Sequence, residues 1–98
     1  MALKIIVKPP AELDVEEITE WYELHEERLG EQFVSEFKNT SILVSEIPLA
    51  FSKRYKSVRS FSLKKFPYNI FYIIQNQTMF IIAVLHQKRN PKIWKTRM

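Results

Sequence analysis

The 98 residues, 46% of them hydrophobic and 13% aromatic, suffice for one core and are too few for two, so a single domain over residues 1–98 is expected. One Gly and five Pro exclude collagen-like and low-complexity chains, and the absence of Cys excludes disulfides, thiolate metal sites and cysteine nucleophiles. The net charge of +4 hides an asymmetry: residues 1–46 hold all 11 acids against four bases, a balance of −7, whereas residues 47–98 hold 11 bases and no acid.

Residues 3–8 (LKIIVK) are rich in β-branched side chains and closed by Pro9 and Pro10, which predicts a strand followed by a change of direction. From about residue 11 to 29, Ile18, Trp21, Tyr22 and Leu29, with His25 between them, recur at the period of an amphipathic helix. Gly30, the single glycine, stands where a left-handed helix cap is expected. A second helix over about residues 31–45 directs Phe33, Phe37 and Val44 inward and stops before Pro48, completing a helical hairpin.

Residues 49–57 form a basic connector. Three strands are expected after it, at residues 58–63 (VRSFSL), 68–74 (YNIFYII) and 79–85 (MFIIAVL), with residues 75–78 as a tight hairpin turn. The last two runs are apolar throughout, as in central strands covered on both faces. The order β-α-α-β-β-β predicts an α+β fold, a helical hairpin packed on a mainly antiparallel four-stranded sheet. A basic tail, residues 87–98, begins as the last strand ends.

No apolar stretch approaches the ~20 residues that span a bilayer, and MALKIIVKPP lacks the long apolar core and cleavage site of a secretion signal. A cytoplasmic location is expected. The acid-free half implies a polyanionic partner, either nucleic acid or an acidic protein segment, unless the two halves merely attract each other.

Glu12, Glu16, Glu20, Glu23 and Glu27 lie along one stripe of the first helix, as on an ordinary solvated face or an acidic docking surface. His25 falls on the core-facing stripe and reads as a half-buried spacer. His86 ends the last strand in phase with Phe80, Ile82 and Val84, and Lys88 and Arg89 follow it. Such a histidine suits proton transfer on a phosphodiester, with cations stabilising the phosphorane, or a structural hydrogen bond at the sheet edge. The histidines lie in distant elements and the second half has no carboxylate, so neither metal nor cofactor is expected. Lys53, Arg54, Lys56, Arg59, Lys64, Lys65, Lys88 and Arg89 interleave with Tyr55, Phe61, Phe66 and Tyr68. Cations among aromatic faces fit single-stranded nucleic acid, although Phe61, Phe66 and Tyr68 fit a core better than they fit stacking platforms.

Two segments carry a resemblance: residues 58–72 (VRSFSLKKFPYNIFY) and residues 82–94 (IAVLHQKRNPKIW). An arginine-bearing strand, a Phe-Pro-Tyr start to the next strand and a terminal His-x-x-Arg-x-Pro-x-x-Trp together resemble the RelE/ParE superfamily of toxins from prokaryotic type II toxin–antitoxin systems, the ParE branch more closely. Ala11, Leu13, Ile18, the segment from Gly30 to Phe37, and Pro48 fall where that family has its helices. The resemblance implies a toxin neutralised by an antitoxin with an acidic or amphipathic tail, and DNA gyrase as its target. Lys53, Arg54, Arg59, Lys64, Lys65, Lys88, Arg89 and Trp94 are the residues expected to bind antitoxin or target. A RelE-like alternative is a metal-independent endoribonuclease cleaving ribosome-bound mRNA, with His86, Arg59 and Arg89 catalytic and Lys53, Arg54 and Lys64 holding RNA. Trp94 stands where RelE-like nucleases place a catalytic tyrosine, and indole cannot replace a phenol in proton transfer. A third possibility is a non-toxic nucleic-acid-binding domain.

Overall fold

In a computed structural model that describes residues 2–89 and Arg97, two helices pack on a five-stranded mixed sheet. Trp94, Lys92 and Lys95 lie outside the described residues. The strands are β1 (Lys4–Val7), β2 (Lys53–Tyr55), β3 (Val58–Ser62), β4 (Tyr68–Gln75) and β5 (Thr78–His86), in the spatial order β1-β5-β4-β3-β2. The helices are α1 (Pro9–His25) and α2 (Leu29–Glu46), with a 3₁₀ turn at Pro48–Ala50.

Five strands replace the four expected. The connector contributes β2, a three-residue edge strand paired antiparallel to β3. The first strand pairs parallel to β5, from Lys4 opposite Thr78 to Val7 opposite Ile81. Pro9 and Pro10 open α1 rather than separating it from the strand, because a fixed φ and a missing N–H cost nothing in a helix's first turn.

The left-handed position between the helices belongs to Arg28, at φ 68°, and Gly30 sits inside α2. Its role is close packing: a Cβ there would lie 2.6 Å from both the Thr19 carbonyl oxygen and the Glu23 Cγ. The 75–78 hairpin forms as expected. Asn76 and Gln77 both take positive φ, 51° and 59°, as a two-residue type I′ turn requires.

Phe33, Phe37, Ile18 and Val44 from the helices meet Phe61, Ile70, Tyr72 and Ile81 of the sheet in the main core. Fully burying one such side chain is worth about 1.5–3 kcal/mol. Alternate residues, among them Val58, Phe71 and Leu85, form a second buried cluster, which accounts for the unbroken apolar runs of β4 and β5. Opposite the Phe71–Tyr72 step, β5 carries an extra residue: Phe71 faces Ala83 and Tyr72 faces Ile81. This bulge at Ile82 reverses the alternation. His86 is therefore in phase with Val84 and the helix-side core, and out of phase with Phe80 and Ile82.

Candidate functional site

His86 ends β5 directly opposite Tyr68, which begins β4, and their rings meet edge to face at 5.3 Å. The Gln87 N–H donates to the Pro67 carbonyl at 2.9 Å and the Arg89 N–H to the His86 carbonyl at 2.9 Å, folding the chain back at once. His86 Nδ1 accepts the Lys88 N–H at 3.1 Å, so the neutral ring carries its proton on Nε2. The ring is thus arranged to donate from Nε2 and is not arranged to accept there.

Arg89 shares a small notch with His86, Tyr68, Asp14 and Glu17. Arg59 does not join them. In the register, Arg59 faces Tyr72 across β3 and β4, whereas His86 faces Tyr68 across β4 and β5. Four residues along β4 at ~3.3 Å each and two strand spacings of ~4.8 Å separate them, about 13 Å along the sheet and 10 Å across it. The Arg59 guanidinium instead donates from Nη1 to the Phe51 carbonyl at 2.5 Å. Beside it the buried Tyr72 hydroxyl donates to the Pro48 carbonyl at 2.6 Å. Burial pushes the Tyr72 phenol above its ordinary value, against the opposing pull of Arg59. The catalytic grouping of His86, Arg59 and Arg89 is therefore brought together only in its His86 and Arg89 members.

The remaining cations are spread widely. Lys53 and Arg54 lie exposed on edge strand β2, and Lys88 is exposed just past β5. Lys64 and Lys65 occupy the β3–β4 turn, where the Glu36 carboxylate from α2 accepts their backbone N–H groups, that of Lys64 at 2.6 Å. This turn borders a groove of about 690 Å³ against α2, lined also by Arg28, Gln32 and Leu43. Phe61 and Phe66 are buried and belong to the core, not to an exposed stacking surface.

The sequence matches the family model for the ParE toxin of the type II toxin–antitoxin system, parDE, over residues 5–91. The chain belongs to the ParE toxin family. A chain from the chromosomal ParDE toxin–antitoxin system of P. aeruginosa superposes with a TM-score of 0.76 at 11% identity, covering 87% of this chain and 96% of that one. A doubly substituted E. coli toxin RelE in its free state superposes with a TM-score of 0.67 at 15% identity, covering 99% of this chain and 94% of that one. At such identities the likeness is one of fold. No curated protein matches the sequence.

Several residues of this ParE-family chain matter in ways that periodicity concealed. His25 is exposed, not half-buried, and donates from Nδ1 to the Trp21 carbonyl at 2.7 Å. Trp21, expected to face the core, is 54% exposed and stacks on His25 with ring centroids 3.8 Å apart. Asp14 binds Arg97 through two guanidinium nitrogens, at 2.5 and 3.2 Å, and accepts the Val84 N–H at 2.9 Å. The single cue for Asp14 was its place as the one aspartate of the chain. Tyr22 and Tyr68 adjoin the His86 notch. Burial is the main cause raising both phenols, and for Tyr68 a hydrogen bond from Tyr22 and the charge of Arg89 pull the other way. Neither phenol is tuned to lose its proton near neutrality.

Proposed function

We propose that this chain is a cytoplasmic toxin that acts by binding DNA gyrase, and that a cognate antitoxin neutralises it by laying an acidic or amphipathic tail on the acid-free half. The observation that favours binding over cleavage is the separation of Arg59 from His86, together with the use of the Arg59 guanidinium to hold the Phe51 carbonyl. A phosphodiester placed at His86 meets Arg89 alone of the two expected arginines. Lys53, Arg54, Lys64, Lys65, Lys88, Arg89 and Trp94 are the candidates for antitoxin or target contact.

A second reading, the metal-independent endoribonuclease, rests on the notch that His86 and Arg89 share. The test compares wild type with His86→Ala at matched soluble levels, following plasmid supercoiling and cleavage of ribosome-bound mRNA. Gyrase inhibition retained by the variant is expected. Messenger cleavage that precedes any loss of supercoiling, and that falls by roughly 10²- to 10⁴-fold in the variant, would replace the gyrase reading with the nuclease.

A further inference from the structure

A cavity of about 370 Å³ opens beside the notch, walled by Trp21, Tyr22, Pro67, Tyr68 and His86. Its volume lies within the roughly 300–1,000 Å³ of small-ligand sites, and all five walls among the described residues are rings. The rings are held in place before any ligand arrives. Tyr22 stands edge-on to Trp21 at 5.2 Å and to Phe66 of the core at 5.0 Å. Tyr68 is fixed against His86, and His86 by the Lys88 N–H. Trp21 is the telling case. It is 54% exposed, so its ring is open to a ligand, and His25 braces it and is itself tied to the Trp21 carbonyl.

At the His86 side the cavity adjoins charge. Arg89 lines the neighbouring notch, and Lys88 precedes it. Of the two carboxylates there, Asp14 is neutralised by Arg97, and the exposed Glu17 is outnumbered by Arg89 and Lys88. A cavity walled mainly by aromatic rings, with a cation beside one end, matches a ring that carries an anion. We propose that this slot binds one nucleotide unit, its base stacked on the exposed Trp21 with Tyr22 and Tyr68 as the neighbouring walls and its phosphate on Arg89, with the His86 Nε2–H as a further donor. The ligand is a free nucleotide or one residue of a single strand. Binding it requires no proton transfer, so the inference stands whichever target the toxin takes.

The chain has two tryptophans, so the full-length Trp94→Phe variant leaves Trp21 as sole indole emitter. Titrating it with AMP, adenosine, ribose 5-phosphate and an eight-residue oligoadenylate should give saturable quenching by AMP or the oligomer, weaker quenching by adenosine and none by ribose 5-phosphate. Calorimetry on the otherwise natural chain should show Trp21→Ala weakening AMP or oligomer binding by about tenfold or more, and Arg89→Gln bringing AMP down to the level of adenosine. Saturation by the oligomer but not by AMP identifies a strand as the source of the nucleotide. Ribose 5-phosphate binding as well as AMP, indifference to Trp21→Ala with a native circular dichroism spectrum, or no saturation by either AMP or the oligomer overturns the proposal. Supercoiling is read separately, so failure here leaves the gyrase reading untouched.

Discussion

Arg59 and Arg89 sit at two ends of the same sheet and are put to opposite uses. At the β2–β3 end, a guanidinium and a phenol reach back to the carbonyls of Phe51 and Pro48, which fastens the chain leaving α2 onto the sheet. At the His86 end, backbone hydrogen bonds shape the turn and leave the Arg89 side chain exposed beside aromatic rings. Two arginines of equal promise in the sequence thus divide into one that holds the fold and one that faces outward. What marks Arg59 out is the Phe51 carbonyl, which its guanidinium reaches.

Substitutions at the two ends should therefore differ in kind. The largest effect is expected for Arg59→Ala, which loses a charge-assisted hydrogen bond and leaves the Phe51 carbonyl unpaired. A loss of about 2 kcal/mol in urea unfolding follows, whereas Arg89→Ala should stay within about 0.5 kcal/mol of wild type. Equal losses at both positions would erase the distinction.

Tyr72→Phe comes next, at about 1 kcal/mol for the Pro48 contact, and it carries a signature in pH. Folding raises this phenol above its ordinary value near 10. The folded state thus favours the protonated form, and the stability this contributes is present below pH ~10 and lost as pH rises through the folded value. The wild-type melting temperature should fall more steeply than that of Tyr72→Phe above pH ~10. Parallel slopes would show that the phenol is no more protected in the fold than in the unfolded chain.

The smallest effects belong to the exposed cations. Lys53→Glu and Arg54→Glu on β2 should each weaken antitoxin binding by about 0–1 kcal/mol, with the deficit shrinking as salt rises. Affinity indifferent to both charge reversal and salt would remove the acid-free half as the docking surface.

Much of this architecture is legible in local pattern. Phe33 and Phe37 one turn apart, the β-branched runs and the polar Asn76–Gln77 turn each declare their element. The shortfalls have a common source in pairings between distant residues. Strand β2 is three polar or aromatic residues, Lys53 to Tyr55, which become a strand only by pairing with β3. Gly30 announces a backbone requirement, but whether that is a positive φ or a close helix contact depends on Thr19 and Glu23 across the hairpin. The site divides in the same way. His86 and Arg89 adjoin because they are three residues apart, whereas the distance from His86 to Arg59 follows from a register that no single segment encodes. The bulge at Ile82 shifted the apparent phase of His86, and helical periodicity placed Trp21 inward when the packing leaves it outside.

The parallel pairing of β1 with β5 bears on how the protein is born. Lys4 finds its partner at Thr78, and Asp14 its own at Arg97, more than 70 positions later in each case. Neither contact can form while the nascent chain is still being extended through those partners. At roughly 5–20 residues per second, that interval lasts on the order of 5–20 s. Until it ends, β5 has no edge for β1 to join, and the carboxylate that accepts the Val84 N–H has no guanidinium to balance it. The sheet, and with it the rim formed by Tyr68, His86 and Arg89, is therefore completed only after β5 has been synthesised, however early β1 and α1 leave the ribosome.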